Sequence, residues 1–496
     1  MKISSSRSSS YEESDGHGEG SRLLQREPSR RTSREAFGLG ARHVQLACMC
    51  GALTGLFLVR SSMGIAVLAM TDDERPDGPE TYCWDKRTQG YILSSFFCGY
   101  AVMQVPGGLL AKRFGGKRVL LVALLVNAVL CICIPTVAYL GGWASVCMAR
   151  FGMGLAQAVT FPSMHTMLGR WLPQHERTSY GGYVYAFPNL GIIISMPLAG
   201  VLSETVLGWK LIFYVSAAVL LAVAAAWARW AASCPAQHPL MTEAERMYIE
   251  KDMPYTCEEQ PSVKVPWRYI VRCRGFWAIL AAHQAFSISH IFFFVDMPTY
   301  LEKGLNISLQ KSAWLSALPY VGMLLGSFFS AWLCGALLDR QLVSVKTCRR
   351  VFNSIGLYGT SVFLLLLVPA RSSALAVGCL VALLTLQSFV SVGFVMNHLD
   401  LSPNFAGVMM SMSNAPANVC SFLTPLVASY VLRNDPTDLA RWHVMFVAMA
   451  AWVAASNTAY LLQLRTDLQP WDDPEYVRRE DKRREENEAV QAMLDE

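Results

Sequence analysis

Charge is scarce in this 496-residue chain: Asp, Glu, Lys and Arg make up 16% of it, against roughly 25% in soluble domains. With a mean hydropathy of +0.31, that scarcity excludes a string of soluble domains, although the length would accommodate several. Cys/His spacings that hold metals are missing. The 14 cysteines make no disulfide framework, because residues such as Cys48, Cys131 and Cys379 stand in apolar runs, where a thiol behaves as a small hydrophobe. Cys83 alone falls in an expected external loop, so it has no partner for an external bridge. There is no nucleophile–base constellation and no phosphate-cradling loop, and the polar segments are too short for a catalytic domain, so an enzyme is not expected. A net charge of +5 gives no argument for nucleic acid as a partner.

What the chain has is apolar length. Its hydrophobic residues come in blocks of about 20 or more, enough to cross about 30 Å of hydrocarbon. Six blocks precede a polar stretch that contains Glu243, Glu245, Arg246 and Glu250, and six follow it. The fold expected is an all-α polytopic membrane protein with twelve transmembrane helices in two six-helix halves. The divisions are a disordered tail over 1–42, an N-terminal half over 43–232, a central loop with a short helix over 233–272, a C-terminal half over 273–464 and a charged tail over 465–496. An internal echo supports two related halves: Gly108 to Arg113 and Gly335 to Arg340 both read Gly-x-x-x-charged-Arg after the second span of each half.

Lys and Arg cluster in the short loops on one side, as in Lys112, Arg113, Lys117 and Arg118, and again in Arg340, Lys346, Arg349 and Arg350. The positive-inside rule therefore places both termini in the cytosol. The Asn306-Ile307-Ser308 sequon then lies on the opposite side, too close to the membrane for glycosylation to be expected. The Ser- and Arg-rich tail has no apolar segment of signal-peptide kind. Within it Glu19, three spacers, Leu23 and Leu24 match the acidic dileucine pattern read by sorting adaptor proteins, a short pattern that chance also produces. It favours an endolysosomal or secretory-vesicle membrane over the plasma membrane.

The informative charges are the few inside the apolar blocks, because a buried charge costs about 2.5–3.5 kcal/mol on insertion scales. Arg60 lies deep in the first block beside Ser61. A guanidinium there binds carboxylate or phosphate bidentately and never loses its charge; the alternative is a structural arginine paired to a carbonyl or an asparagine. Arg150 shares a helix face with Gly154 and Gln157, at offsets of 4 and 7. It either lines a polar path or snorkels to the nearer interface. His283 and His290, seven apart on one face of the seventh span, are candidates to sense or carry a proton, or else packing residues. His165 reads as a helix-end residue, and His398 and Asp400 as gate or helix-end contacts. The binding candidates are thus Arg60, Ser61, Arg150 and Gln157, with Asn414 added from the later motif.

At several points these residues resemble a family. Arg60-Ser61-Ser62-Met63, the run Gly90 to Tyr100, Gln104 to Gly108, Phe161-Pro162 with His165, Leu315 to Tyr320, and above all Asn397-His398-Leu399-Asp400-Leu401-Ser402-Pro403 followed by Ser413-Asn414 are similar to the major facilitator superfamily. Within it they resemble the anion–cation symporter branch of sialin, vesicular glutamate and nucleotide transporters and sodium–phosphate cotransporters. The resemblance implies a secondary active transporter of small organic or inorganic anions working by alternating access. It implies no cofactor, protons or sodium as candidate coupling ions, and chloride as a candidate modulator. A transporter-like sensor without transport is the alternative. Two positions depart from the family pattern: Lys112 replaces an acid in the loop motif, and Gln157 stands where most members carry a proton-coupling glutamate. An amide cannot titrate, so the departure points toward uptake driven by membrane potential.

Overall fold

Helix breaks, as much as helices, shape this chain. In the computed structural model the described residues are 38, 40–71, 81–251, 265–305, 309–370, 372–432 and 437–495. Glu19, Leu23, Leu24 and Asn306 lie outside them. Leu39–Glu496 forms one compact unit. The helices are α1 (Ala41–Met70), α2 (Lys86–Phe114), α3 (Gly116–Gln157), α4 (Thr160–Trp171), α5 (Arg177–Val184), α6 (Phe187–Ser203), α7 (Trp209–Trp230), α8 (Glu243–Glu250), α9 (Trp267–Arg272), α10 (Arg274–Thr299), α11 (Leu309–Asp339), α12 (Val345–Leu367), α13 (Ser373–Gln387), α14 (Phe394–Leu401), α15 (Ala406–Leu432), α16 (Leu439–Gln463) and α17 (Pro474–Asp495).

Among the described residues ten stretches are long and apolar enough to cross a membrane. One of them, Gly116–Trp171, has 56 residues, at 1.5 Å each about twice what one crossing needs. It divides at Gly142, whose φ of 59° and ψ of −151° are not helical. Only glycine adopts such a backbone cheaply, and the Gly141-Gly142 pair is where the sequence places a minimal loop. The 27-residue α15 adds a further helix beyond those ten. Two other expected spans are interrupted: one between α5 and α6, and one between α13 and α14, where a 3₁₀ turn covers Ser388–Ser391. The short helix expected in the central loop is α8, and the charged tail forms α17.

Two large apolar cores hold the molecule. One is built almost wholly from residues between Leu46 and Ala232, the other almost wholly from residues between Ile270 and Val477. The two sets of helices meet by close backbone approach at the end where α1 begins and α16 finishes. A Cβ on Gly407 of α15 would run into the Pro162 carbonyl oxygen of α4, and one on Gly182 of α5 into Ala331 of α11. We call this contact the seam. Absent side chains let helices pack this closely.

Polar anchors lock the same end. Glu245 of α8 accepts from the backbone N–H groups of Ala41 at 2.8 Å and Arg42 at 3.0 Å, capping α1 with a negative charge where the helix dipole favours one. Arg42 in turn pairs with Glu176 at 3.1 Å and Glu245 at 3.3 Å. Past α16, Asp472 is 2% exposed and holds the α14–α15 loop. Its carboxylate accepts from the Ser402 hydroxyl, from the Asn404 N–H at 3.0 Å and from Asn404 Nδ2 at 3.1 Å.

Burial outweighs those donors and lifts the Asp472 carboxyl from 3.8 to about 6. Because the folded value lies above the unfolded one, the stability it contributes is complete below pH 3.8 and is lost as pH rises through 6. Asp472→Asn should therefore flatten the dependence of thermal midpoint on pH between about 4 and 7. Melting the detergent-purified protein across that range checks this, and an unchanged slope would contradict it.

Candidate binding site

Above the seam the helices enclose a cavity of about 190 Å³. Phenylalanine and tyrosine rings from several helices line it beside many polar groups, among them Arg60 and Ser61 from α1, Tyr100 from α2, His283 and His290 from α10, and Asn414 from α15. Apolar surface with convergent polar groups is the usual make-up of a small-molecule site.

Arg60 supplies the charge. Its guanidinium is ringed by Phe57 at 5.4 Å, Phe96 and Phe97 at 5.0 Å, and Tyr100 at 5.2 Å. Among the described residues no carboxylate lies within ion-pair distance of it. Arg150 sits on Phe96 as well, at 4.8 Å, so one ring contacts two guanidiniums. It does not line the cavity, and its Nε and Nη1 have no hydrogen-bond partner. It is 2% exposed, so it does not snorkel to water.

Cation–π contacts, each worth about 0.5–2 kcal/mol, offset part or most of the several kcal/mol that burying an unpaired ion costs, but an aromatic ring carries no net charge and cannot neutralise the guanidinium. The pair therefore leaves an uncompensated positive potential at the cavity. The geometry depends on α2 and α3 touching. A Cβ on Gly154 would overlap the Phe96 carbonyl oxygen, and one on Gly99 the Phe151 carbonyl oxygen. Helices packed so closely bring both arginines to the Phe96 ring.

Gln157 points elsewhere. It is buried away from the cavity, and its Nε2 donates to Asn127 Oδ1 at 2.9 Å. The Asn127 amide is oriented by its own bond from Nδ2 to the Ala123 carbonyl at 2.8 Å, so only an acceptor faces position 157. An amide satisfies it; an ionised carboxylate would oppose lone pair to lone pair. The unusual amide in the fourth span thus has a partner in the third, which no local sequence pattern revealed.

The histidines separate. His290 lines the cavity, stacked on Phe286 with ring centroids 5.3 Å apart. His283 lines it too, and its Nδ1 is 3.0 Å from the Ser413 hydroxyl. His398 lies behind the wall, with Nε2 2.9 Å from the same hydroxyl. Asn414 bridges to Tyr100 at 3.5 Å and holds Asn418. Asp400 is remote from the cavity and forms a bidentate pair with Arg349, at 2.7 and 3.0 Å.

Sequence reasoning passed over Phe96, Asn127, Tyr185, Ser413 as a hydrogen-bonding group, and Arg349 as a buried ion. Arg349 looked like one more loop cation. An aromatic or a serine in an apolar block carries no signal of its own, because its role depends on which distant residue it meets.

Comparison with known proteins agrees with this architecture. The Major Facilitator Superfamily pattern matches residues 46–425. A Drosophila melanogaster protein named "Putative inorganic phosphate cotransporter" is 33% identical over 451 residues, covering 85% of this chain and 84% of that one. Human sialin is 33% identical over 391 residues, covering 79% and 78%. Among solved structures, the E. coli fucose:proton symporter superposes with a TM-score of 0.60 at 14% identity, over 86% of this chain and all of that one, a likeness of fold. This chain is a member of the major facilitator superfamily.

Proposed function

We propose that this protein is a secondary active transporter of small organic or inorganic anions, working by alternating access across a multi-pass membrane domain. One observation carries the reading: Arg60, a permanent cation without a carboxylate partner among the described residues, faces the cavity above the closed seam. A positive potential with no internal counter-ion attracts an anion. Relatives named for phosphate and for glutamate, the latter human vesicular glutamate transporter 2 at 28% identity over 451 residues, support that substrate class. Arg60, Ser61 and Asn414 would bind the anion; Arg150 would add field from behind Phe96; Gln157 would brace the third and fourth spans. No cofactor is needed. Protons or sodium are the coupling candidates, and membrane potential alone favours anion movement at about 2.3 kcal/mol per charge per 100 mV. The dileucine pattern and the vesicular name favour a vesicular or endolysosomal membrane, with the tail reaching adaptor proteins in the cytosol.

Proteoliposome uptake tests the reading. Labelled phosphate, glutamate and a monocarboxylate are offered under imposed potential, proton and sodium gradients, with and without chloride. Accumulation of at least one anion above protein-free vesicles is expected. Failure of all of them under every gradient would overturn it.

A further inference from the structure

Beneath the cavity a hydrogen-bonded array crosses the seam, and donor–acceptor logic fixes its protons. The Val395 carbonyl oxygen is 3.1 Å from His165 Nε2 and 3.0 Å from His398 Nδ1. A carbonyl only accepts, so both nitrogens carry hydrogen. His165 Nδ1 then accepts from the Tyr185 hydroxyl, which it contacts closely. If His398 is neutral its Nε2 is bare and accepts from Ser413 Oγ at 2.9 Å. Ser413 Oγ, having given its only proton, accepts from His283 Nδ1 at 3.0 Å. The chain thus runs Tyr185 to His165 to the Val395 carbonyl, and from the other side His283 to Ser413 to His398. Both ends, Tyr185 and His283, line the cavity, while His165 and His398 are fully buried with ring centroids 5.2 Å apart.

Ser413 has a second acceptor within reach, the Met410 carbonyl at 3.1 Å. From this we infer that His283, Ser413 and His398 form a proton relay that loads one coupling proton from the cavity onto His398 at the seam. The step balances without an external reagent beyond the proton. A proton binds His283 Nε2; the Nδ1 proton passes to Ser413 Oγ; the original Ser413 proton passes to His398 Nε2. His398 then holds hydrogen on both nitrogens, donating to Ser413 Oγ and to the Val395 carbonyl. The Ser413 hydroxyl, now carrying the proton that came from His283, donates back to His283 Nδ1, with the Met410 carbonyl the acceptor it passes when it turns to reset. Every polar atom of the array keeps a partner in both states, which buried groups require.

The titratable groups facing the array are His165 on α4, Tyr185 between α5 and α6, and His283 on α10, and among the described residues its hydrogen bonds involve no carboxylate. His165 and His398 belong to opposite sides of the seam and share one carbonyl. With the seam closed His398 is fully buried and joined to the cavity through the relay; in the proposed cycle, opening the seam exposes it to the termini face, where the proton leaves. Loading and release on opposite sides are what alternating access requires of a coupling site. The relay stands where the amide at position 157 cannot serve, and it rests on the transporter reading above.

The test uses the full chain in proteoliposomes with potential clamped, measuring anion uptake with and without a pH gradient of either polarity and lumenal pH with a trapped dye. In the unaltered protein the gradient should stimulate uptake and the dye should report proton movement with the anion. In Ser413→Ala the stimulation ratio should fall to about one, Ser413→Thr, which keeps the hydroxyl, should restore it, and His398→Gln should lose it. Anion uptake with no pH stimulation in the unaltered protein, or a full ratio in Ser413→Ala or His398→Gln, would overturn the relay. Absence of anion uptake altogether would instead defeat the transporter reading. If Ser413→Ala is inactive, Ser413→Thr against Ser413→Cys decides, because a thiol is a weak donor: equal ratios in the two would overturn the relay.

Discussion

Arg60→Ala is expected to reduce anion uptake at least about 100-fold, because truncating one partner of a buried charge pair costs about 3–5 kcal/mol. The reason lies in what surrounds it. Four aromatic rings within 5.4 Å hold the guanidinium without neutralising it, so the substrate supplies the full negative charge that no carboxylate among the described residues brings to it. Arg60→Lys keeps the charge and loses the bidentate fork, and should recover only part of the activity, with the deficit in KM more than in the maximal rate. Initial rates in proteoliposomes against substrate concentration separate these. Uptake by Arg60→Ala equal to that of the unaltered protein would show that the anion binds elsewhere.

The second large effect is expected at the seam. Arg349 is 1% exposed and uses all three guanidinium nitrogens: Asp400 at 2.7 and 3.0 Å, the Val392 carbonyl at 2.7 Å and the Thr178 hydroxyl of α5 at 2.9 Å. Asp400→Ala strands that charge and should cost about 3–5 kcal/mol, seen as a large drop in thermal midpoint. Removing both partners, as Arg349→Leu with Asp400→Leu, should cost less than Asp400→Ala alone, since no orphaned ion remains. A double variant less stable than the single one would mean that the link to Thr178, and not the ion pair, holds this corner. The bond to Thr178 also ties α12 to α5 across the seam, so transport should fall with stability in Arg349→Leu.

Much of this was legible in the sequence. Apolar block length identified the membrane fold, and the Gly141-Gly142 pair marked the break that divides α3. Depth in the first block singled out Arg60, which does face the cavity, with Ser61, His283, His290 and Asn414 on the same wall. Other candidates stand out in the sequence as unusual residues, but the structure places them apart from the cavity wall. Arg150 is one phenyl ring behind the wall, Gln157 is bonded to Asn127, and Asp400 is an ion partner at the seam.

Hydropathy and helical periodicity act over a few turns, so they reveal which residues are costly to bury and which share a helix face. They determined here that the chain spans a membrane, that it is helical, and that a permanent cation lies within it. Whether that cation meets a carboxylate or an open cavity depends on helices far apart in the chain. Only the tertiary structure brought two arginines to the Phe96 ring and His283 and His398, 115 residues apart, onto one serine hydroxyl. Such contacts are set by backbones packed through glycine, a constraint carried by both surfaces together and by neither segment alone.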